Sequence, residues 1–237
     1  MRFSSEVAVV TGAASGIGRA IAEGIAAEGG TVLGIDRAWP GGPGAPAGFQ
    51  AVTADVRHRD GLEAAIGELG GARPTILVNA AGIAGPEKPF EGVDLDAWRE
   101  TVDVNLWGAV LCTAVVLPRL VDGRATVLNV VSHAGLTGGR NASAYAASKG
   151  GLIAFTLSLA AELAERGITV NGFLPGPTDT GLMRARRGAE EIETLVAEGY
   201  IATADDVARA ALVLISPDGR RLNGQIVGAR PSPGARR

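Results

Sequence analysis

The sequence predicts a doubly wound α/β fold, a parallel sheet with helices on both faces, and three observations carry that prediction. Short β-branched runs alternate with longer helical stretches, the rhythm of βαβ units. The first run, Glu6–Thr11, is apolar almost throughout, as a strand covered on both faces must be. It leads through a glycine-rich turn straight into an Ala/Ile-rich stretch of helical period.

In order, the first helix spans about Ser15 to Glu28 and is closed by Gly29-Gly30, because glycine accepts the backbone that ends a helix. Thr31–Ile35 reads as the second strand, ending at Asp36. Ala38–Gly48 (AWPGGPGAPAG) is too crowded with proline and glycine for a helix and reads as a loop. Further strands are expected at Phe49–Ala54, Thr75–Asn79, Ala125–Val131 and Ile168–Leu174, and helices at Asp60–Leu69, Leu95–Val121 and Ser143–Arg166. Another helix starts at Thr203, an N-cap with Asp206 three residues on, and carries Val207, Ala210, Ala211 and Leu214 on one face. A last strand is expected at Gly224–Gly228. With no repeat or linker, one domain over residues 1–228 is expected, followed by a basic flexible tail, 229–237.

At 237 residues, 46% hydrophobic and 20% charged, the chain can bury a core without disulfides or metals. A formal charge of -3 offers no basic footprint for nucleic acid. Cys112 is the single cysteine, so no intrachain disulfide forms, which suits a reducing cytoplasm. The N-terminus MRFSSE lacks the apolar region of a signal peptide, and no apolar run approaches the ~18 residues of a membrane span. A cytoplasmic protein without nucleic-acid or membrane partners is expected.

The turn TGAASGIG contains Gly12, Ser15, Gly16, Ile17 and Gly18 between strand and helix. Glycine there lets backbone approach a pyrophosphate, and the helix N-terminus turns free N–H groups toward the anion. An acid at the end of the second strand, Asp36, stands where an adenosine ribose places its hydroxyls and would repel a 2′-phosphate. Arg37 beside it pulls the other way, whereas Ser15, in place of a basic residue, agrees with NAD as cofactor.

Tyr145 and Lys149 are four apart on a helix, hence on one face. The chain has only two tyrosines and two lysines, so a lysine in this Ala/Gly/Ser-rich stretch invites a chemical reason. A compact ammonium can hold both a phenol and a ribose hydroxyl. With a cationic nicotinamide it would lower the phenol pKa by roughly two to three units and poise it as a base. Ser132, thirteen residues earlier at a strand end, can return to the same oxygen.

These residues, with Asp55-Val56, Asn79-Ala80-Ala81-Gly82, Asn105 in DVNL, Tyr145-Ala146-Ala147-Ser148-Lys149 and Pro175-Gly176-Pro177-Thr178-Asp179-Thr180, resemble the short-chain dehydrogenase/reductase family from about Val7 to Val227. The resemblance implies a single Rossmann-type domain with Tyr145 as acid/base, Ser132 on the reacting oxygen and Lys149 on the nicotinamide ribose. It implies that Asn105 positions a relay water, that Asp55 and Val56 contact adenine, and that Asn79 contacts the adenosine side. The backbone around Thr178 and the hydroxyl of Thr180 would hold the carboxamide and fix which face of the ring gives hydride. It also implies homo-oligomers, dimers or tetramers, through the helices Leu95–Val121 and Ser143–Arg166.

The C-terminal part, without the Asp-Gly-Gly ending of many relatives, is similar to the NAD-dependent subgroup that includes hydroxyprostaglandin dehydrogenase, and this opens the question of the usual subunit contact. Arg184, Arg186 and Arg187 read either as an acidic-substrate site or, with Glu190, Glu191 and Glu193, as a solvated balanced helix, the reading favoured here. His133 and His58 stand apart, so no metal cluster is expected. Cys112 reads as a small buried residue, and Trp98 and Trp107 as packing at the core or at subunit contacts rather than binding substrate. The expected function is an NAD-dependent oxidoreductase interconverting a secondary alcohol and a ketone. An NADPH-dependent ketone or β-ketoacyl reductase and a non-catalytic NAD-binding module stay open. The loops Ile83–Phe90, Ala134–Arg140 and Gly181–Tyr200 would shape a pocket for a small-molecule substrate whose identity the sequence leaves open.

Overall fold

The computed structural model describes residues 1–39 and 46–229. The chain runs β1 (Val7–Thr11), α1 (Gly16–Ala27), β2 (Thr31–Asp36), β3 (Phe49–Thr53), α2 (Arg59–Gly67), β4 (Ile76–Asn79) and α3 (Leu95–Val102). After a wide π-helical turn at Asp103–Trp107 come α4 (Gly108–Val116), β5 (Thr126–Val130), α5 (Ala134–Thr137) and α6 (Ser143–Glu162). The remainder is β6 (Thr169–Pro175), α7 (Gly181–Arg187), α8 (Ala189–Ala197), α9 (Ala204–Ile215) and β7 (Ile226–Ala229).

The described strands form one parallel sheet in the order β3-β2-β1-β4-β5-β6-β7. Chain direction across the sheet reverses between β1 and β4, and there the loops beyond the strands part to leave a crevice. Side-chain alternation splits the core. Ala8 and Val10 face α1 and α9 with Ile21, Ile25, Val207 and Ala211. Val9 faces α2, α4 and α6 with Leu62, Leu111, Val116 and Leu159. The Thr203–Asp206 capping box forms as expected at the start of α9.

Several boundaries differ from expectation; α6 ends at Glu162, short of the expected Arg166, and the last strand starts at Ile226 rather than Gly224. The helix expected over Leu95–Val121 is interrupted by the π turn and ends in a short 3-10 turn at Leu117–Arg119, where Pro118 has no N–H to continue the ladder. The interrupted run Leu95–Arg119 (25 residues), which holds an 18-residue window of mean hydropathy 1.5, reaches the length and hydropathy of a membrane span, contrary to expectation, but half of that window is buried inside the protein, as in a core helix. Ala229, assigned to the tail, pairs with Pro175 in the sheet; residues 230–237 and the loop residues 40–45 lie outside the described residues.

At the N-terminal ends of the strands, opposite the crevice, Glu6 is buried against the Thr75 hydroxyl (2.5 Å) and the guanidinium groups of Arg124 (3.0 Å) and Arg220 (2.5 Å). Burial alone would raise its pKa, but these partners hold it below the usual carboxylate range.

Candidate active site

The glycine turn is shaped by what cannot fit there. Gly12 has φ +67°, and a Cβ on it would stand 2.8 Å from the Ala81 nitrogen. One on Gly18 would collide with the Gly12 carbonyl, so α1 could not sit so close to β1. Ser15 precedes α1 with extended backbone, and its hydroxyl makes no capping bond, which leaves the first-turn N–H groups of a 12-residue helix for an anion.

A cleft of ≈ 290 Å³ opens over this turn. Gly12, Ser15, Gly16, Ile17 and Gly18 line it beside Asp36, Asp55 and Val56, and Tyr145, Lys149 and Thr180 complete it. Asp36 sits at the end of β2, where Oδ2 accepts the Ala14 N–H at 3.0 Å and so ties the carboxylate to the glycine turn. Asp55 is engaged by Arg57 through Nη2 (2.6 Å) and Nε (3.0 Å), and that bond holds its carboxyl below the ordinary range. Arg57 continues to Glu100 at 3.0 Å.

Lys149 is buried, and Nζ donates to the Val130 carbonyl at 2.7 Å while lying 5.9 Å from the Tyr145 ring centroid. Its burial pushes the ammonium pKa from 10.5 down to about 8. The expected pair thus shares one wall of the cleft with the strand end before Ser132. Glycine at 82 keeps this region open, since a Cβ there would stand 3.2 Å from Asn105 Oδ1 and 3.7 Å from Lys149 Nζ.

Ser132 follows Val130 and Val131, which line the cleft, and its Oγ accepts the Ala134 N–H at 3.2 Å. Thr180 caps α7 by accepting the Met183 N–H at 3.3 Å. Three expected residues, Asn79, Asn105 and Thr178, are not part of the cleft lining, and their side chains bond to protein partners. Asn79 donates inward to Asn129 (2.8 Å) and Thr113 (3.1 Å), because its strand position faces α4 and α6. Asn105, in the π turn, clamps both polar atoms of the Ile83 backbone (2.7 and 3.0 Å) and donates to Ser148 (3.1 Å). The buried Thr178 hydroxyl donates to the Gly176 carbonyl at 2.8 Å.

Arg57 also lines the cleft without having been singled out from the sequence, whereas Ile83 and Leu182, on the same lining, belong to loops expected to shape the substrate pocket. The opposite charges of Asp55 and Arg57, two apart, were the available signal for the first. Arg184 is bound to Asp179 (2.6 and 2.8 Å) and Glu193, and Arg187 to Glu191, so the expected charge balance is present but spans two helices, α7 and α8, rather than one. The Cys112 thiol is buried and pushed up to about 12. Trp98 donates to the Ser143 hydroxyl at 3.1 Å, whereas Trp107, expected to pack, is half exposed.

A family model described as short chain dehydrogenase matches residues 6–191. Cis-4-hydroxycyclohexanecarboxylate dehydrogenase of Sinomonas cyclohexanicum is 37% identical over 228 residues, covering 90% of each chain. 3beta-hydroxysteroid dehydrogenase of Mediterraneibacter gnavus is 34% identical over 206 residues, covering 83% of this chain and 74% of that protein. Among solved structures, 3-ketoacyl-(acyl-carrier-protein) reductase from Brucella melitensis complexed with NADH superposes with a TM-score of 0.87 at 29% identity, covering 96% of this chain and 97% of that one. One from Beutenbergia cavernae, described as an NAD(P) dependent gluconate 5-dehydrogenase with NADP bound at low occupancy, gives 0.81 at 34%, covering 95% of each chain.

Proposed function

The chain belongs to the short-chain dehydrogenase family of oxidoreductases, and we propose that it is an NAD-dependent enzyme interconverting a secondary alcohol and a ketone, with Tyr145 as acid/base. The observation that carries the reading is Tyr145 beside the buried Lys149 ammonium, on the wall of a cleft that also holds the glycine turn and Asp36. The residues fit a dinucleotide: side chains on Gly12 or Gly18 would fill the space the backbone needs, and α1 turns its N–H groups toward an anion.

When bound, the nicotinamide supplies or accepts the hydride. The Tyr145 oxygen takes the alcohol proton during oxidation and returns it during reduction. Lys149, anchored on the Val130 carbonyl, keeps a positive charge beside the phenol and favours its ionised form. Ser132 donates to the reacting oxygen, where a fixed donor stabilises developing charge. Asn105, which shapes the π turn, positions a relay water toward Lys149. Thr180 and the backbone at Thr178 orient the carboxamide end, while Asp55 and Val56 flank the adenine. Asp36 accepts ribose hydroxyls and repels a 2′-phosphate.

NADPH-dependent reduction of a ketone or β-ketoacyl group is the second reading, favoured by Arg37 and Arg57 on the same cleft lining as Asp36. Oxidation of a panel of secondary alcohols, cyclic hydroxyacids and hydroxysteroids among them, with NAD and NADP in parallel separates the two. The proposal expects an NAD preference that Asp36→Ala reduces about tenfold or more, since the like-charge penalty against the 2′-phosphate disappears. A parental preference for NADP removes the role given to Asp36. The same reading extends to a cytoplasmic homo-oligomer, supported by the free thiol of Cys112 and by exposed Trp107 and Leu157 on the helices of the expected contact.

A further inference from the structure

We propose that Gly135 is a positioning residue for the reaction: it lets α5 lie backbone on backbone against the Lys149–Gly150 peptide and so sets Ser132 relative to Tyr145. The inference rests on the roles given above to Ser132 and Tyr145. A Cβ on Gly135 would stand 2.6 Å from the Lys149 carbonyl carbon, 2.7 Å from the Gly150 nitrogen and 2.8 Å from the Lys149 oxygen. All three are main-chain atoms inside a 20-residue helix, so none can step aside as a flexible side chain would. From the other face, a Cβ on Gly150 would meet the Gly135 oxygen at 3.1 Å.

Ser132 belongs to the same rigid turn as Gly135. The Gly135 N–H donates to the Ser132 carbonyl at 3.0 Å, and the Ala134 N–H donates to the Ser132 hydroxyl at 3.2 Å. On the other flank, Lys149 Nζ holds the Val130 carbonyl, two residues before Ser132, at 2.7 Å. One stretch of α6, Lys149–Gly150, therefore grips the chain on both sides of the serine, by side chain before it and by main chain after it. Tyr145 is one turn away on that same helix, so serine and phenol are referred to a single rod. A methyl on Gly135 needs about 1 Å more separation to reach ordinary contact, and it would lift the serine turn by that amount while leaving the lysine grip in place.

The test is a double-mutant cycle of Gly135→Ala with Ser132→Ala. It reads kcat on the panel alcohol that the parent oxidises best, with NADH binding followed by fluorescence. Gly135→Ala is expected to lower kcat about ten- to a hundredfold with NADH affinity within about twofold, and to cost nothing further once Ser132 is alanine. Parental kcat in Gly135→Ala, or an equal loss in the Ser132→Ala background, overturns the proposal and leaves the proposed function standing. A Ser132→Ala enzyme at the parental rate instead removes the premise, and with it the serine's place in the proposed function. Should Gly135→Ala not fold, Gly150→Ala, with its gentler approach, goes through the same cycle with the same outcomes.

Discussion

Tyr145 and Lys149 are held by the interior of the protein, the lysine by a main-chain carbonyl and its helix by glycine-to-backbone contact. The segment α7–α8, which follows the Thr180 side of the cleft, is held by partly exposed ion pairs, Arg184 to Asp179 and Glu193, and Arg187 to Glu191. The first arrangement fixes atoms to within a few tenths of an ångström, because main chain in a packed helix has nowhere to move. The second is weak and exchangeable, worth about 0–1 kcal/mol per pair. Under the proposed roles the chemistry falls on the side that cannot yield, and adaptation to a ligand on the side that can.

The comparison breaks first at Tyr145. Tyr145→Phe keeps the ring and loses only the oxygen, so kcat is expected to fall about 10²- to 10⁴-fold while NADH binding persists. Steady-state rates and fluorescence titration check this, and near-parental turnover would show that the rigid side has no acid/base task.

Lys149→Met separates charge from packing and is expected to act through pH. In a Tyr200→Phe background Tyr145 is the only tyrosine, so tyrosinate absorbance reports its phenol alone. Loss of the ammonium is expected to move that titration to higher pH, and an unmoved midpoint would deny the coupling. Folding stability gives an independent reading. Because burial pushes Lys149 down to about 8 from 10.5, the unfolded chain binds the extra proton between those values, and the parent gains stability as pH rises through that window. Thermal melts should therefore show the parent improving relative to Lys149→Met by about 3 kcal/mol between neutral pH and pH ~10.5.

The smallest effect is expected on the yielding side. Arg184→Ala removes the bonds to Asp179 and Glu193, and should change stability by less than about 1 kcal/mol and KM by a few fold, with kcat nearly untouched. A large drop in kcat would mean that α7 belongs to the rigid part after all.

The strands and the glycine turn were legible because buried strands need unbroken apolar runs and because glycine at 12 and 18 answers a steric demand visible in spacing alone. The π turn was not. Its wide geometry accompanies Asn105 reaching the Ile83 backbone, a contact 22 residues away that no local period encodes. The direction of the Asn79 side chain was hidden for a related reason: a polar residue at a strand end looks the same whether it faces the cleft or the helices behind it. Arg57 escaped notice because its value lies in two partners, one of them 43 residues distant.

The sheet's order has a price in time rather than in stability. Among the described residues no two neighbouring strands are joined by a tight hairpin; Val7 pairs with Thr31, and Ala8 with Ile76. Every pairing therefore waits for a long loop to close before any contact rewards it, so the chain must fold slowly for its size. During that wait its central, most apolar strands present open edges to neighbouring molecules.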